Sequence, residues 1–229
     1  MPREILSFYR FQITDPVVCA DAFYAPAVEL GLLGTVLVAE EGWNVNLWAE
    51  SQLLDLYLQR LKDKPEFVPT QNEIKRMEVS AQPFRKLARK IKTEIIKLGI
   101  PVDRSQSAST YVTAEELHSR LQAGEKITML DVRNRYEMQV GTFAGAVDPG
   151  VDTFQEFPEA MSKLELDREK PVVTFCTGGI RCEKAVPYLQ SIGYKNVLQI
   201  EGGIWKYLEK YPDGFFKGDC FWFDEREER

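Results

Sequence analysis

Histidine is nearly absent: His118 is the sole one in 229 residues. A single imidazole excludes, within one chain, a two-histidine iron site, an HExxH zinc site and any relay that passes a proton between two histidines. Cysteine is scarce too. Cys19, Cys176, Cys182 and Cys220 contain no CxxC pair, which argues against a metal knuckle, and four scattered thiols make no disulfide scaffold. Long apolar runs are missing. The longest near-apolar stretch runs from Gly31 to Ala39, too short to cross a bilayer. The start, Met-Pro-Arg-Glu, lacks the apolar core of a signal peptide. The expectation is therefore a cytoplasmic protein without a membrane segment. With 44% hydrophobic and 28% charged residues, the composition is that of a soluble globular chain long enough for two small domains.

Acidic residues outnumber basic ones, and the net charge is −6, but the imbalance is uneven. Residues 1–59 carry two basic and eight acidic side chains, residues 60–104 twelve and six, and residues 105–229 fifteen and twenty-one. Between Lys75 and Lys97 eight basic residues face only Glu78 and Glu94. A basic block in an acidic chain is a candidate polyanion-binding surface, to be weighed evenly against a merely solvated face.

The first hundred residues alternate strand-like and helix-like patterns. Strands are expected over Ile5–Ile13, Thr35–Ala39, Asn44–Trp48 and Ile74–Val79. Helices are expected from Pro16 to about Leu33 and from Glu50 to Lys62. The order β-α-β-β-α-β is that of a ferredoxin-like split unit. Phe84–Leu98 reads as a basic helix ended by Gly99-Ile100-Pro101. On it Arg85, Lys86, Arg89, Lys90 and Lys92 are candidate RNA contacts. The expected organisation is a ferredoxin-like domain over residues 1–102, a polar linker over 103–110, a parallel-sheet domain over 111–212 and a tail over 213–229. In the second domain Thr113-Ala-Glu-Glu116 is a capping box opening a helix to about Gln122. Strands at Ile127–Val132, Val172–Phe175 and Asn196–Ile200 alternate with helices at Arg181–Ser191 and Ile204–Lys210. That alternation gives a doubly wound, mostly parallel sheet with helices on both faces.

The densest chemistry lies in Pro171-Val-Val-Thr-Phe-Cys176-Thr177-Gly178-Gly179-Ile180-Arg181-Cys182. An apolar strand runs into a cysteine, then a glycine-containing loop, then a helix. Ligands gather at the carboxyl ends of parallel strands. The loop Thr177, Gly178, Gly179 and Ile180 can curl its N–H groups into an anion nest, and the following helix adds its positive end. With Arg181 as a fixed charge, the arrangement favours a thiolate at Cys176. Cys182 reads as a small residue in the first helical turn or as a thiol able to resolve an oxidised Cys176.

These residues carry a resemblance. Asp131-Val-Arg133 followed by Glu137, Gly141-Thr-Phe-Ala-Gly-Ala146, the Cys-x-x-x-x-Arg loop and Glu201-Gly-Gly-Ile-Trp205 resemble a rhodanese domain. Four residues between Cys and Arg form a cup suited to sulfur, whereas the related phosphatases use five. With Phe8-Tyr-Arg-Phe11, Ala39-Glu-Glu-Gly-Trp-Asn44, the Cys-Thr-Gly-Gly-Ile-Arg-Cys-Glu-Lys-Ala185 block and Gly218-Asp-Cys-Phe-Trp-Phe-Asp-Glu-Arg226, nearly the whole chain resembles the rhodanese-related tRNA uridine hydroxylases. Two departures stand out: Val-Asn-Leu follows Asn44 where the family usually has a Gly-Thr-Ile type strand, and many members continue beyond the position of Arg229 into a cysteine-bearing tail. The resemblance implies an oxidoreductase that forms 5-hydroxyuridine at the tRNA wobble position, with molecular oxygen as co-substrate and the loop cysteine essential. Cys176 and Arg181 are then the catalytic candidates. Asp131 and Arg133 are expected to brace the loop, Glu137 to orient Arg133, and Cys19 and Cys220 to be structural. His118 is expected to be solvated. No cofactor motif and no metal site are identifiable. The rival readings are a thiosulfate-type sulfurtransferase carrying a persulfide on Cys176 and a non-catalytic rhodanese binding module.

Overall fold

The computed structural model describes residues 2–79, 81–105 and 110–221. They divide into two compact units, one up to Ile95 and one from Ile96 onward.

The first unit contains β1 (Arg3–Phe11), α1 (Pro16–Glu29), β2 (Leu33–Ala39), β3 (Gly42–Glu50), α2 (Ser51–Leu61), β4 (Lys75–Glu78) and β5 (Leu87–Ile91). The sheet order is β4-β1-β3-β2-β5. Its first four strands pair antiparallel as a split β-α-β-β-α-β unit. Alternation sets the faces. Leu6 and Phe8 of β1, Val36 and Val38 of β2 and Val45 and Leu47 of β3 bury one face with Phe23, Leu54 and Tyr57 of the two helices. α1 begins where expected, because the Asp15 carboxylate accepts from the Val17 and Val18 amides ahead of a Pro16 that has no N–H to lose. It stops earlier than expected. Gly31 takes φ +64°, and the chain turns into β2 with Leu33 as its first residue.

The basic helix expected over Phe84–Leu98 does not form. Leu87–Ile91 is a strand that pairs in parallel with β2, from Gly34↔Leu87 to Val38↔Ile91. The Gly34 amide donates to the Lys86 carbonyl at 3.0 Å and the Lys92 amide to the Val38 carbonyl at 2.9 Å. Without this segment the backbone groups on that side of β2 would be unpaired. Satisfying them outweighs the few tenths of a kcal/mol per residue by which Lys and Arg favour a helix. Side chains therefore alternate between faces. Arg89 lies on the helix-bearing face and pairs with Asp21 of α1 at 2.8 Å, whereas its neighbour Lys90 belongs to the opposite face.

The second unit contains β6 (Tyr111–Val112), α3 (Ala114–Gln122), β7 (Thr128–Asp131), α4 (Arg135–Met138), β8 (Gly141–Phe143), α5 (Phe157–Lys163), β9 (Val172–Phe175), α6 (Cys182–Ser191), β10 (Val197–Ile200), α7 (Gly203–Lys210) and β11 (Phe216–Gly218). Four strands form a parallel sheet in the order β6-β10-β9-β7, and β8 pairs antiparallel with β11. The sheet is buried on both faces. Val172 packs with Ala185, Val186 and Leu189 of α6 and Phe157 and Met161 of α5. Val173 and Phe175 pack with Leu117 of α3 and Ile204 and Tyr207 of α7. Thr113 caps α3, accepting from the Glu116 amide at 3.2 Å. Ile96, Leu98 and Val102 pack into the α5–α6 side of this unit. Of the residues proposed as a linker, 106–109 lie outside the described residues.

His118 is not a solvated surface residue. It stacks on Tyr211 at a centroid distance of 3.8 Å, and its Nδ1 lies 2.9 Å from the Tyr207 hydroxyl. That hydroxyl also accepts the Phe215 amide at 3.1 Å. Phe216 is buried, while Trp222 and Phe223 lie outside the described residues.

Candidate active site

β9 delivers Cys176 just past its carboxyl end. The alternation Val172, Thr174, Cys176 continues onto the α5–α6 face, so the thiol enters the core and is 1% exposed. The chain then reverses through residues 177–181 into α6. Gly179 has φ +97°, a conformation that disfavours any side chain. There its amide donates to Cys176 Sγ at 3.1 Å, and its carbonyl accepts the Cys182 amide at 3.0 Å. Of the two loop glycines, Gly179 alone requires glycine's freedom on these grounds.

Burial by itself would push the Cys176 thiol up. A hydrogen bond with the Cys182 side chain, the charge of Arg181 and the amides of Arg181 and Cys182 outweigh burial and lower it to about 6. Cys182 moves the opposite way. It is fully buried as the first residue of α6, and burial together with the adjacent Cys176 raises it well above the ordinary thiol range. The two shifts run in opposite directions, which favours the charge on Cys176 and the proton on Cys182. Position in the first helical turn, which the sequence left open between a small packing residue and a resolving thiol, is what brings Cys182 to the sulfur.

Arg181 and Glu137 form the second element. Both Arg181 guanidinium nitrogens reach the Glu137 carboxylate, one at 2.8 Å. Thr177 Oγ1 donates to the same carboxylate at 3.2 Å. Burial would raise Glu137, but the charge and hydrogen bonds of Arg181, the Asn134 amide and the charge of Arg133 hold it below the usual carboxylate range. The expectation that Glu137 orients Arg133 is corrected here: the carboxylate grips Arg181. Glu137 can do so because it is the third residue of α4, where its carboxylate also accepts the Asn134 amide at 3.1 Å.

Arg133 is held by Asp131. Its side chain, fully buried, makes two contacts of 2.6–2.9 Å to that carboxylate and donates to the Gly141 carbonyl at 2.6 Å. Thr142 Oγ1 donates to Asp131 at 2.8 Å. Burial lowers Arg133, yet Asp131 more than offsets it, and the guanidinium stays charged. This pair ties the end of β7 to β8, and the Val132 amide donates to the Phe175 carbonyl at 3.0 Å, beside the loop cysteine. Cys19 and Cys220 are buried thiols pushed up to about 12 chiefly by burial, so neither is a nucleophile near neutral pH.

Two features escaped the sequence reading. Glu183, buried in the first turn of α6, accepts from the Tyr111 hydroxyl at 2.5 Å and from Arg104 at 3.4 Å. It anchors α6 to β6, and its signal was the charged Glu-Lys pair inside an otherwise apolar helix. At the start of α7, the Ile204 and Trp205 amides donate to the Cys176 and Thr177 carbonyls at 3.0 and 3.1 Å. The candidate basic residues belong to the first unit. Arg85, Lys86 and Lys92 are exposed, Lys90 is half-buried, and Arg89 is engaged by Asp21.

Residues 3–95 match the family described as UPF0176 acylphosphatase like domain, and residues 113–210 match the rhodanese-like domain. A solved structure of the Alr3790 protein from Anabaena sp. is 28% identical over 47% of this chain and 91% of that one, with a TM-score of 0.40. A protein named tRNA uridine(34) hydroxylase from Picosynechococcus sp. is 36% identical over 97% of this chain and 75% of its own length. One of the same name from Bordetella avium is 38% identical over 96% of this chain and 94% of its own length. With both units matched in order and such relatives aligned along nearly its full length, the chain belongs to the tRNA uridine(34) hydroxylase family.

Proposed function

We propose that this protein hydroxylates the wobble uridine of tRNA at carbon 5 in the cytoplasm, with Cys176 as the reacting sulfur: one atom of molecular oxygen replaces the C5 hydrogen, and the other leaves as water with two electrons and two protons from a reductant such as a thiol. The observation that carries the reading is the loop itself: a buried Cys176 sulfur that accepts the Gly179 amide, with Cys182 and the charge of Arg181 favouring its thiolate form. A thiolate is the nucleophilic and oxidisable form of cysteine. Excluding water from it strengthens each interaction that stabilises its charge. The proton is favoured on Cys182, Arg181 supplies the positive field, and Glu137 with Thr177 fixes Arg181 in place. The wobble base lies in a single-stranded loop, so it can be presented to a protein pocket without melting a duplex.

Phosphate contacts fall to the first unit's basic segment. A strand with loops at both ends spreads charge differently from a helix. The exposed loop residues Lys86 and Lys92 flank β5 and are the candidates for backbone contact, joined by Arg85 and Lys90, while Arg89 is committed to Asp21. The test is incubation of the purified protein with tRNA and a thiol reductant under isotopically labelled dioxygen. Product nucleosides carrying one labelled oxygen at the wobble uridine support the reading. Sulfur incorporation without oxygen would move the chain to sulfur transfer.

A further inference from the structure

We propose that the Gly203–Trp205 turn, at the start of α7, is a positioning element for Cys176. It pins the two peptide planes that lead into the loop and packs Gly203 against the nitrogen of Gly179, the amide that meets the sulfur.

The first four N–H groups of any helix lack partners within it. In α7 two of them are used by the active loop: Ile204 donates to the Cys176 carbonyl at 3.0 Å and Trp205 to the Thr177 carbonyl at 3.1 Å. A trans peptide is planar, and its C=O and N–H point in opposite directions. Fastening those two carbonyls to α7 therefore fixes the orientation of the two peptide planes that begin the loop. The third contact is steric. Gly202 and Gly203 are both left-handed, at φ +71° and +72°. A Cβ on Gly203 would lie 2.5 Å from the Cys176 carbonyl oxygen, 2.7 Å from that of Thr177 and 2.8 Å from the Gly179 nitrogen. The last of these is the amide that donates to Cys176 Sγ. Gly203 is thus seated against the backbone that makes the nest, with no room for a methyl group. Gly202 provides the matched comparison. The three atoms nearest to its Cβ would all belong to the flexible side chain of Lys206, at 2.6–3.0 Å.

The proposal rests on Cys176 being the reacting sulfur, but its test reads sulfur ionisation and not turnover, so the two fail separately. G202A and G203A carry the same left-handed penalty, about 1–2 kcal/mol each. They differ in what the new methyl strikes. Iodoacetamide labelling of Cys176 is followed against pH by mass spectrometry. G202A is expected to keep the wild-type midpoint. G203A is expected to raise it by about one unit and to slow labelling below that midpoint roughly tenfold, the loss of about one charge-assisted hydrogen bond. An unmoved midpoint in G203A, or an equal shift in both, overturns the proposal. Should G203A fail to fold, the unmutated protein still decides: the amide resonances of Ile204 and Trp205 should titrate with the Cys176 midpoint and go flat in C176S. Resonances that ignore the ionisation of Cys176 reject the clamp.

Discussion

Removing the Cys182 thiol should raise the pKa of Cys176 without dismantling the loop. The interaction between the two thiols lowers Cys176 and raises Cys182, favouring the charge on the first and the proton on the second. A hydrogen bond to an ionised group is worth about 1.5–3 kcal/mol. At 1.36 kcal/mol per unit, C182A should raise the Cys176 midpoint by about 1–2 units. The other contributors, the Arg181 charge and the amides of Arg181 and Cys182, stay in place, as does the Gly179 amide on the sulfur. C182S keeps a hydroxyl donor at the same Cβ and should move the midpoint by less than half as much. The assay is the rate of iodoacetamide labelling of Cys176 against pH, with buried Cys19 as the unreactive internal reference. Circular dichroism checks that each variant is folded, since a sulfur-sized void in a fully buried site costs about 1 kcal/mol. A C182A midpoint equal to wild type, or a C182S shift as large as that of C182A, refutes the shared-proton arrangement.

Other outcomes follow from the same geometry. E137Q leaves the Arg181 guanidinium nearly buried without its counter-charge, and the fold should lose about 3–5 kcal/mol in urea denaturation at neutral pH. Because the folded Glu137 carboxyl lies below its ordinary range, its stabilisation is complete above that range and lost as pH falls through the folded value. The stability gap between wild type and E137Q should therefore close on strong acidification; a gap independent of pH contradicts the ion pair. K86A/K92A should weaken tRNA binding and reduce the slope of log affinity against log salt by about 1.4–1.8 units. R89A, whose guanidinium faces Asp21, should leave that slope unchanged. Equal slopes for all three proteins would mean that the basic segment does not touch RNA.

Much of this was legible in the chain. The apolar and aromatic strand runs of β1 and β3, the Asp15-Pro16 and Thr113 caps, and the apolar run into Cys176 are local signals, and the structure places them within a few residues of expectation. The misreadings share a cause. β5 is a strand because β2 leaves an edge to be paired, and nothing inside Leu-Ala-Arg-Lys-Ile announces that edge. Glu137 binds Arg181, forty-four residues away, and not Arg133, four residues away. His118 is covered by Tyr207 and Tyr211, the first of them eighty-nine residues distant. Spacing shows which groups a segment offers; which partner takes them is decided by the sheet order that brings distant segments together.

The most direct test of the central claim is nucleoside mass spectrometry of tRNA from cells lacking this gene, complemented with the wild-type chain or with C176S. The account predicts that wild type restores 5-hydroxyuridine at the wobble position and that C176S, folded and equally abundant, restores none. Full restoration by C176S would contradict it.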